Sequence, residues 1–405
     1  MKQSTFTVYG YRWVVLLAFM LTAAFNQLLW ITYAPITGSA AAYYGVTDLS
    51  IGLLSMSFMI AYLFVSIPAS WVIDTYGFRV AVGIGAGLTG AFGLMRGLAA
   101  ANYTLVLCAQ IGIAIGQPFI LNAVTKVAAR WFPLQERATA SGFGSLGIYL
   151  GILAGMALTP YLTLWVGIAS MLLAYGVGAM VAGVIFLAVA RESPLSPPGP
   201  AGQEERALMF DGLRQALHNK NFLLLMLIFF IGLGIFNSVT TWIEDILRPR
   251  GFSITQAGIA GGLMIVGGVI GALTLPALSD RYRRRVPFII LALVGAIPGL
   301  AGITFATSTL LLLCSAFLLG FFLLSSGPIG FQYGAEIARP TPEGTSNGLL
   351  LLMGQVSGIA FIFGMDSFKV AGTGSMTPSL MLLIGLLLLG LFLATRLHES
   401  ELLAA

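Results

Sequence analysis

Apolar segments of about 20 residues, each long enough to cross a bilayer as one helix, recur along the whole chain. The first begins near Arg12 and the last ends near Arg396. Only 9% of the 405 residues are charged, whereas charged residues make up about 25% of a typical soluble domain. The sequence therefore predicts an all-α, polytopic membrane protein.

The apolar segments divide into twelve predicted transmembrane helices. They are expected at residues 12–35, 50–73, 80–100, 104–130, 138–163, 165–190, 222–246, 254–278, 286–306, 309–336, 344–368 and 377–396. The stretch between the sixth and seventh helices is rich in proline, glycine and charged residues, which predicts a linker exposed to solvent. Its end, ALMFDGLRQALHNKN, has apolar residues at helical spacing and predicts a short helix on the membrane surface.

Two unrelated motifs recur at nearly the same distance, which indicates an internal repeat. DTYGFR begins at Asp74 and DRYRRR begins at Asp280, an offset of 206 positions. A longer stretch that begins at Pro133 matches one that begins at Pro340, an offset of 207. Two parallel sets of six helices, related by an axis along the membrane normal, form the major facilitator architecture.

The repeat predicts three regions in the chain. Residues 1–190 would form an N-terminal six-helix bundle, 191–221 a cytoplasmic linker, and 222–405 a C-terminal bundle pseudo-symmetric with the first. The fold class is thus predicted to be the major facilitator fold with twelve transmembrane helices.

The basic residues indicate the orientation of these helices. Twelve helices place both termini on one side, and all 20 Lys and Arg residues fall there except Arg96, Arg248, Arg250 and Lys369. The positive-inside rule then places both termini in the cytoplasm. We expect the plasma (inner) membrane. The net charge of +5 follows from topology, and no nucleic-acid partner is predicted.

The loop motifs and several longer stretches resemble a known family. DTYGFR and DRYRRR resemble the loop signature of the major facilitator superfamily. Within it, the chain resembles the feline leukaemia virus subgroup C receptor family of choline and haem transporters. The resembling stretches include WITYAPI, FILNAVTKVAARWF and FQYGAEIARPTPEGTSNGLLLLMGQVSGI. The resemblance implies alternating access without ATP, and no cofactor is predicted.

The resemblance also implies a cytoplasmic latch that holds the two halves in the outward-facing state. The predicted members are Asp74, Arg79, Asp280, Arg281, Arg285 and Glu336. A carboxylate at a helix end can accept hydrogen bonds from free N–H groups and pair with arginine. The alternative is that these charges only set topology. Ser70 and Pro276 stand where the signature has glycine and Thr75 where it has a basic residue, which predicts a weaker first-half latch.

Asn26, Trp30 and Tyr33 are spaced four and three positions apart, which places them on one face of the first helix. The repeat carries this region onto Asn237 in the seventh helix. In the resembling family, the tryptophan that matches Trp30 helps to form an aromatic cage around a quaternary ammonium group. Cation–π attraction in such a cage contributes about 2 kcal/mol when the cation is desolvated. The alternative is an interfacial belt residue.

The full predicted solute-binding set is uncharged. It comprises Asn26, Trp30, Tyr33, Gln117, Tyr149, Asn237 and Gln355. Asn237 stands where the family has a cage tyrosine, Tyr149 where it has a glutamine, and Gln355 matches a family glutamine. Gln110 shares a face with Gln117, and hydrogen bonding between helices is its alternative role.

Two further patterns concern packing. Gly147, Gly151 and Gly155 lie four apart and predict the close approach of another helix. Pro118 and Pro328 predict kinks in their helices. The two cysteines lie in apolar segments and are expected to be buried thiols rather than a disulfide.

These features predict a secondary transporter that moves a small organic solute, such as choline or another organic cation, across the lipid bilayer as a monomer. A proton-coupled exporter of drugs or metabolites is the alternative, with Glu244 as a candidate coupling residue. A membrane enzyme is not predicted, because the spans hold no clustered nucleophile and base or metal set. No Gly-Lys pair exists for a P-loop. A receptor that does not transport stays open.

Overall fold

The computed structural model describes residues 8–133, 136–196, 217–339 and 343–399. Every regular element in these ranges is helical, so the prediction of an all-α protein is confirmed. The predicted surface helix in the linker begins at Ala207, and most of it lies outside the described residues.

The described part of the chain consists of helices joined by short turns. They are α1 Arg12–Ile31, α2 Thr37–Tyr44, α3 Asp48–Tyr76, α4 Phe78–Leu98, α5 Tyr103–Leu121, α6 Val124–Trp131, α7 Arg137–Val189, α8 Lys220–Thr241, α9 Ile243–Leu247, α10 Ile254–Tyr282, α11 Val286–Phe305, α12 Thr309–Ile337, α13 Glu343–Ser367 and α14 Thr377–Ala394. Short 3₁₀ turns follow α1 at Ala34–Ile36 and α9 at Arg248–Arg250.

Across the described ranges, 11 helical segments are long and apolar enough to span a membrane. The segment Thr139–Val189 has 51 residues, far more than the about 20 that one crossing needs. Gly167 interrupts it with φ 80° and ψ 165°, a backbone conformation that glycine adopts at low cost. This segment therefore holds the predicted fifth and sixth spans, which gives twelve spans in all.

The chain divides into two compact units. Unit 1 comprises Met1–Thr32 and Ile60–Glu204, and unit 2 comprises Tyr33–Met59 and Glu205–Ala405. The division falls at the end of α1 and within α3. The three predicted regions of the chain, with their halves and linker, stay a prediction.

Helix α7 packs closely against α1 in unit 1 through glycines. A Cβ atom added to Gly151 would lie 2.1 Å from the carbonyl oxygen of Ala24, and one added to Gly147 would lie 2.7 Å from that of Met20. A Cβ atom at Gly155 would also collide with a side chain of α1. The predicted close approach at this glycine face is confirmed.

The cysteine prediction was wrong about burial, whereas both thiols are free, as expected. Cys108 in α5 and Cys314 in α12 are both exposed. An apolar segment faces either lipid or another helix, and both surroundings are apolar, so hydropathy does not distinguish them. A thiol behaves as a small hydrophobic group in either place.

Both prolines lie inside helices that continue past them, and the predicted kinks stay a prediction. Helix α5 continues through Pro118, ends at Leu121 and is followed by α6 from Val124. Helix α12 runs without interruption across Pro328.

A residue with a positive φ stands at the same place in both copies of the loop motif. Gly77, before α4, has φ 87°. Arg283, which lies 206 positions later and caps the end of α10, has φ 51° and ψ 41°. Left-handed backbone costs a residue with a Cβ atom about 1–2 kcal/mol. The two positions share the sign of φ but not the turn itself, since ψ is 168° at Gly77 and 41° at Arg283.

We predict that Gly77→Ala lowers the free energy of unfolding by roughly 2 kcal/mol, because alanine is strained at this φ. Its Cβ atom would also lie 2.2 Å from an oxygen of the Glu192 carboxylate. The matched control is Gly87→Ala, since a Cβ atom there has open space. Thermal unfolding of purified protein measures both. Equal losses of stability for the two variants would contradict the prediction.

Candidate functional site

The first helix of unit 1 ends where a proline interrupts its hydrogen bonding. Helix α1 stops at Ile31, four residues before Pro35. Proline has no N–H to donate, and its ring collides with the carbonyl four residues earlier. The last carbonyl groups of α1 therefore need donors from outside the helix. Trp30, a predicted solute-binding residue, lies in this last turn.

Arg96 of α4 supplies donors to the end of α1. Its Nη1 donates to the Leu29 carbonyl at 2.9 Å and to Gln110 Oε1 at 2.8 Å. Gln110 Nε2 donates to the same Leu29 carbonyl at 3.3 Å, and Arg96 Nη2 donates to Thr32 Oγ1 at 3.4 Å. Gln110 thus has its alternative role, hydrogen bonding between helices. The sequence analysis treated Arg96 only as a charge that reports topology.

Asn26 forms hydrogen bonds inside unit 1. Its Nδ2 donates to Thr89 Oγ1 on α4 at 3.0 Å, and its Oδ1 accepts from Gln27 Nε2 at 3.2 Å. The side chain is fully buried. The expectation that this amide needs a partner is met by Thr89, and a contact between Asn26 and a solute stays a prediction.

Trp30 is 6% exposed, whereas Trp165 at the α7 interruption is 89% exposed. A tryptophan of an interfacial belt presents its ring to the lipid head groups, so the burial of Trp30 argues against that alternative. Trp30 also lies in the last turn of α1, where Arg96 donates a hydrogen bond to the Leu29 carbonyl. Its contact with a solute stays a prediction.

Gln117 and Tyr149 add polar groups to unit 1. Gln117 on α5 is buried, and Tyr149 on α7 is half-buried. Neither side chain forms a hydrogen bond with another residue that the structure describes, although both lie in membrane-spanning helices. Their amide and hydroxyl groups are thus available to a polar ligand.

Tyr33 differs from the residues that its spacing grouped with it. It lies after the end of α1 and belongs to unit 2, whereas Asn26 and Trp30 belong to unit 1. Its ring is fully buried, and its hydroxyl lies 3.3 Å from that of Tyr44. Its predicted place on the solute-binding face stays untested.

Asn237 and Gln355 lie at the contact of α8 with α13 in unit 2. Asn237 Nδ2 donates to the Gly354 carbonyl at 3.1 Å, and a Cβ atom at Gly358 would lie 3.0 Å from that same nitrogen. Both predicted residues are half-buried. Asn237 Oδ1 and the whole Gln355 amide make no hydrogen bond to the described residues.

The predicted solute-binding residues supply rings and uncharged dipoles. Acidic residues in the spans lie near helix ends: Asp48, Asp74, Asp280, Glu336, Glu343 and Asp366. A charged side chain at the bilayer centre costs about 3 kcal/mol or more. A solute site formed by these residues stays a prediction.

The second copy of the loop motif forms a buried ionic network. Arg285 is 7% exposed and pairs with Asp280. Its Nη2 lies 3.1 Å from Glu336 Oε1, and its Nη1 donates to Ser279 Oγ at 3.2 Å. Arg281 is exposed and has no ion pair within the described ranges. Of the four latch residues predicted for this part of the chain, Arg285 therefore pairs with two, Asp280 and Glu336.

The first copy is arranged differently. Asp74 is half-exposed and lies 3.5 Å from Lys126 Nζ. Arg79 is exposed, and its Nη2 donates to the Leu187 carbonyl at 3.3 Å. Asp74 and Arg79 thus have different partners, unlike Asp280 and Arg285. The relative strength of the two latches stays a prediction.

Two glutamates that the sequence analysis missed cap helix starts at these loops. Glu192 accepts hydrogen bonds from the N–H of Arg79, at 2.8 Å, and of the residue before it. Glu399 accepts from the N–H of Val286, at 3.1 Å, and likewise of the residue before it. Each carboxylate satisfies free donors at a helix N-terminus. The pair lies 207 positions apart in similar motifs, RES and HES, so the repeat could have revealed it.

A second ionic cluster lies in unit 2 at the ends of α3, α9 and α13. Lys369 Nζ lies 2.7 Å from both Asp48 Oδ2 and Asp245 Oδ2. Arg248 lies 2.8 Å from Asp48 and 3.2 Å from Glu244, and it also pairs with Asp245. The sequence analysis missed Asp48 and Lys369 because 321 positions separate them.

Burial shapes the charges of this cluster. Burial has the largest effect on the pKa of the Glu244 carboxyl and raises it. Arg248 lowers this pKa, as does the N–H of Gly38, which lies 2.9 Å from the carboxylate. Burial likewise raises the pKa of Asp245. Both carboxyls therefore hold a proton more readily than they would in water.

Comparison with known proteins gives consistent matches across the chain. A family model described as Major Facilitator Superfamily matches residues 9–362. Solute carrier family 49 member A3 of Xenopus tropicalis is 33% identical over 375 residues, which are 88% of this chain and 78% of that protein. Choline/ethanolamine transporter flvcr2b of Danio rerio is 29% identical, over 95% of this chain and 84% of that protein.

The fold is also similar to solved structures. A bacterial homologue of the human lysosomal transporter Spinster superposes with a TM-score of 0.79 at 18% identity, over 96% of this chain and 98% of that one. The nucleoside transporter NupG superposes with a TM-score of 0.73 at 15% identity, over 95% and 98%. At these identities the likeness concerns the fold.

We predict that Glu336→Gln lowers the free energy of unfolding by about 3 kcal/mol, because it leaves the buried Arg285 without one carboxylate. Asp74→Asn is the matched control at the other copy of the motif. Its half-exposed pair with Lys126 should contribute less than about 1 kcal/mol. Thermal unfolding in detergent measures both, and a larger loss for Asp74→Asn would overturn the prediction.

Proposed function

The chain belongs to the Major Facilitator Superfamily and is a secondary membrane transporter, and from that premise we propose that it carries a choline-like organic cation by alternating access. The resemblance to the feline leukaemia virus subgroup C receptor family is confirmed by its relatives. Its family consists of transporters rather than enzymes. The solute and the mechanism are our proposal.

The burial of Trp30 in the last turn of α1 is the observation that supports this solute most directly. An indole face attracts a desolvated cation by about 2 kcal/mol. Gln117 and Tyr149, also in unit 1, have polar groups without hydrogen-bond partners among the described residues. A quaternary ammonium ion has no N–H to donate, so rings and oxygen dipoles suit it better than a fixed hydrogen-bond acceptor.

The names of several relatives agree with this chemistry. Proteins of Danio rerio and Felis catus that are 29% identical to this chain are called choline/ethanolamine transporters. Solute carrier family 49 member A3 is 33% identical, and its name specifies no solute. The choice of solute therefore depends on the residues.

Two residues differ from the resembling family at the proposed site. Asn237 replaces a cage tyrosine and Tyr149 replaces a glutamine. We propose that the Tyr149 ring of unit 1 offers an aromatic face to the cation. We propose likewise that Asn237 Oδ1 and the Gln355 amide of unit 2 act as uncharged dipoles for a polar solute. Both side chains of unit 2 are half-buried, which keeps them accessible.

The proposal extends to how the protein sits in the cell. Both termini would lie in the cytoplasm and the chain would act as a monomer in the plasma (inner) membrane, without a nucleic-acid partner. The distribution of Lys and Arg supports this orientation. The glycine face of α7 against α1 would allow helices to slide, and the ionic networks would serve as latches between states.

A proton-coupled exporter is the second candidate, and Glu244 favours it. This carboxyl is buried in unit 2, and burial raises its pKa, so it takes up a proton at higher pH than a free glutamate does. Under this alternative, an imposed pH gradient drives flux in proteoliposomes and Glu244→Gln abolishes that drive. Choline uptake that is indifferent to the pH gradient would reject it.

We predict that Trp30→Ala weakens choline binding about 30-fold, which corresponds to the loss of about 2 kcal/mol of cation–π attraction. Trp30→Phe should retain part of the affinity. Isothermal titration of purified protein with choline measures binding, and uptake into proteoliposomes measures transport. Ethanolamine, carboxylates and haem serve as comparison solutes.

Trp165→Ala is the matched control, since it removes an indole that is exposed in the chain. It should leave choline affinity unchanged. If Trp30→Ala binds choline as the unsubstituted protein does, the proposed site is rejected. If no organic amine binds or is taken up, the proposed solute class is rejected.

A further inference from the structure

We propose that Arg96 is a positioning residue: it fixes the end of α1 and thereby holds Trp30 in place for the solute. The first part of this inference concerns only the helix end. The second part rests on the proposed function, because it assigns Trp30 to the solute site.

The end of α1 creates the need that Arg96 meets. Pro35 has no N–H for the Ile31 carbonyl, and the helix ends at Ile31, so the carbonyl groups of the final turn need other donors. Hydrocarbon provides no substitute donors, and an unsatisfied backbone carbonyl there costs several kcal/mol. Donors must therefore come from neighbouring helices.

Arg96 serves two successive carbonyl groups of this turn. It donates directly to the Leu29 carbonyl, at 2.9 Å. It also donates to Thr32 Oγ1, whose own hydroxyl donates to the Leu28 carbonyl at 2.8 Å. These carbonyl groups lie immediately before Trp30. Their fixed positions determine the direction in which the backbone presents the indole.

Arginine suits this task for two reasons. Its guanidinium carries five N–H donors in a rigid plane, so one side chain reaches the Leu29 carbonyl, Gln110 and Thr32 together. Its positive charge is also favourable at the negative end of the α1 dipole. Arg96 is fully buried, and a buried cation is retained only where such partners surround it.

Unit 2 contains a comparable arrangement that provides a control. Arg250 Nη1 donates to the carbonyls of Ile303 and Thr304 at the end of α11, at 2.6 and 2.9 Å, and its Nη2 donates to that of Ile246 at 3.3 Å. Ile303 lies 207 positions after Arg96. Arg250 thus joins the 3₁₀ turn after α9 to the end of α11, whereas Arg96 of α4 holds the end of α1.

The first experiment measures the helix end without any solute. Hydrogen exchange with mass spectrometry compares residues 28–34 in the unsubstituted protein, Arg96→Met, Arg96→Lys and Arg250→Met. Loss of charged hydrogen bonds should accelerate exchange in this segment roughly tenfold for Arg96→Met. Lysine has a single ammonium group in place of the guanidinium, so Arg96→Lys should accelerate exchange less than Arg96→Met does. Arg250→Met should leave the segment unchanged.

The second experiment measures choline affinity in a double-mutant cycle. Arg96→Met should weaken choline binding roughly tenfold or more, as expected when a binding group is misplaced. If Arg96 acts through Trp30, the double variant with Trp30→Ala should bind no more weakly than Trp30→Ala alone. A general loss of stability would instead add to the effect of Trp30→Ala.

The outcomes separate this inference from the proposed function. Unchanged exchange and unchanged affinity in Arg96→Met overturn the inference. Faster exchange with additive affinity losses overturns the link to Trp30. If Trp30→Ala itself has no effect on choline, the proposed site fails, while the exchange result still decides the role of Arg96. If Arg96→Met does not fold, Gln110→Leu, which removes one donor to the Leu29 carbonyl, undergoes the same measurements.

Discussion

The absence of hydrogen-bonding partners in hydrocarbon is the constraint on which the rest of this structure depends. A continuous helix satisfies its own backbone, but each interruption within the membrane leaves carbonyl groups that need donors from the protein. Helix α1 ends four residues before Pro35 and receives its donors from Arg96, Gln110 and Thr32. This explains why a fully buried arginine is retained in a span where charge is otherwise costly.

The internal repeat is preserved in these contacts more clearly than in residue identity. Glu192 and Glu399 cap equivalent helix starts. Gly77 and Arg283 both have a positive φ, although their ψ angles of 168° and 41° differ. Arg96 of α4 holds the end of α1, whereas Arg250 of the 3₁₀ turn after α9 holds the end of α11. The two copies therefore share their glutamate caps, while their arginines serve different helix ends.

The sequence predicts those features that depend on local patterns. Hydropathy and the glycine spacing of Gly147 and Gly151 correctly indicated the spans and the close approach to α1. Hydropathy failed for Cys108, because lipid and protein interior are equally apolar. The ion pair of Lys369 with Asp48 could not be predicted, because residues 321 positions apart meet only after folding. The membrane position of Asn26 indicated a polar partner, but only the structure identifies it as Thr89.

The most deeply buried charges of this protein serve its architecture. Arg96 holds a helix end, Asp245 joins Lys369 to Arg248, and Arg285 links Asp280 with Glu336. Each is surrounded by partners that compensate for its burial, so it has little capacity to bind a solute without breaking a structural contact. The amide of Gln355, by contrast, is uncharged and makes no hydrogen bond to the described residues. Under the proposed function, discrimination between solutes must therefore come from the shape of the aromatic surface and the orientation of dipoles, both of which require the backbone beneath them to be fixed.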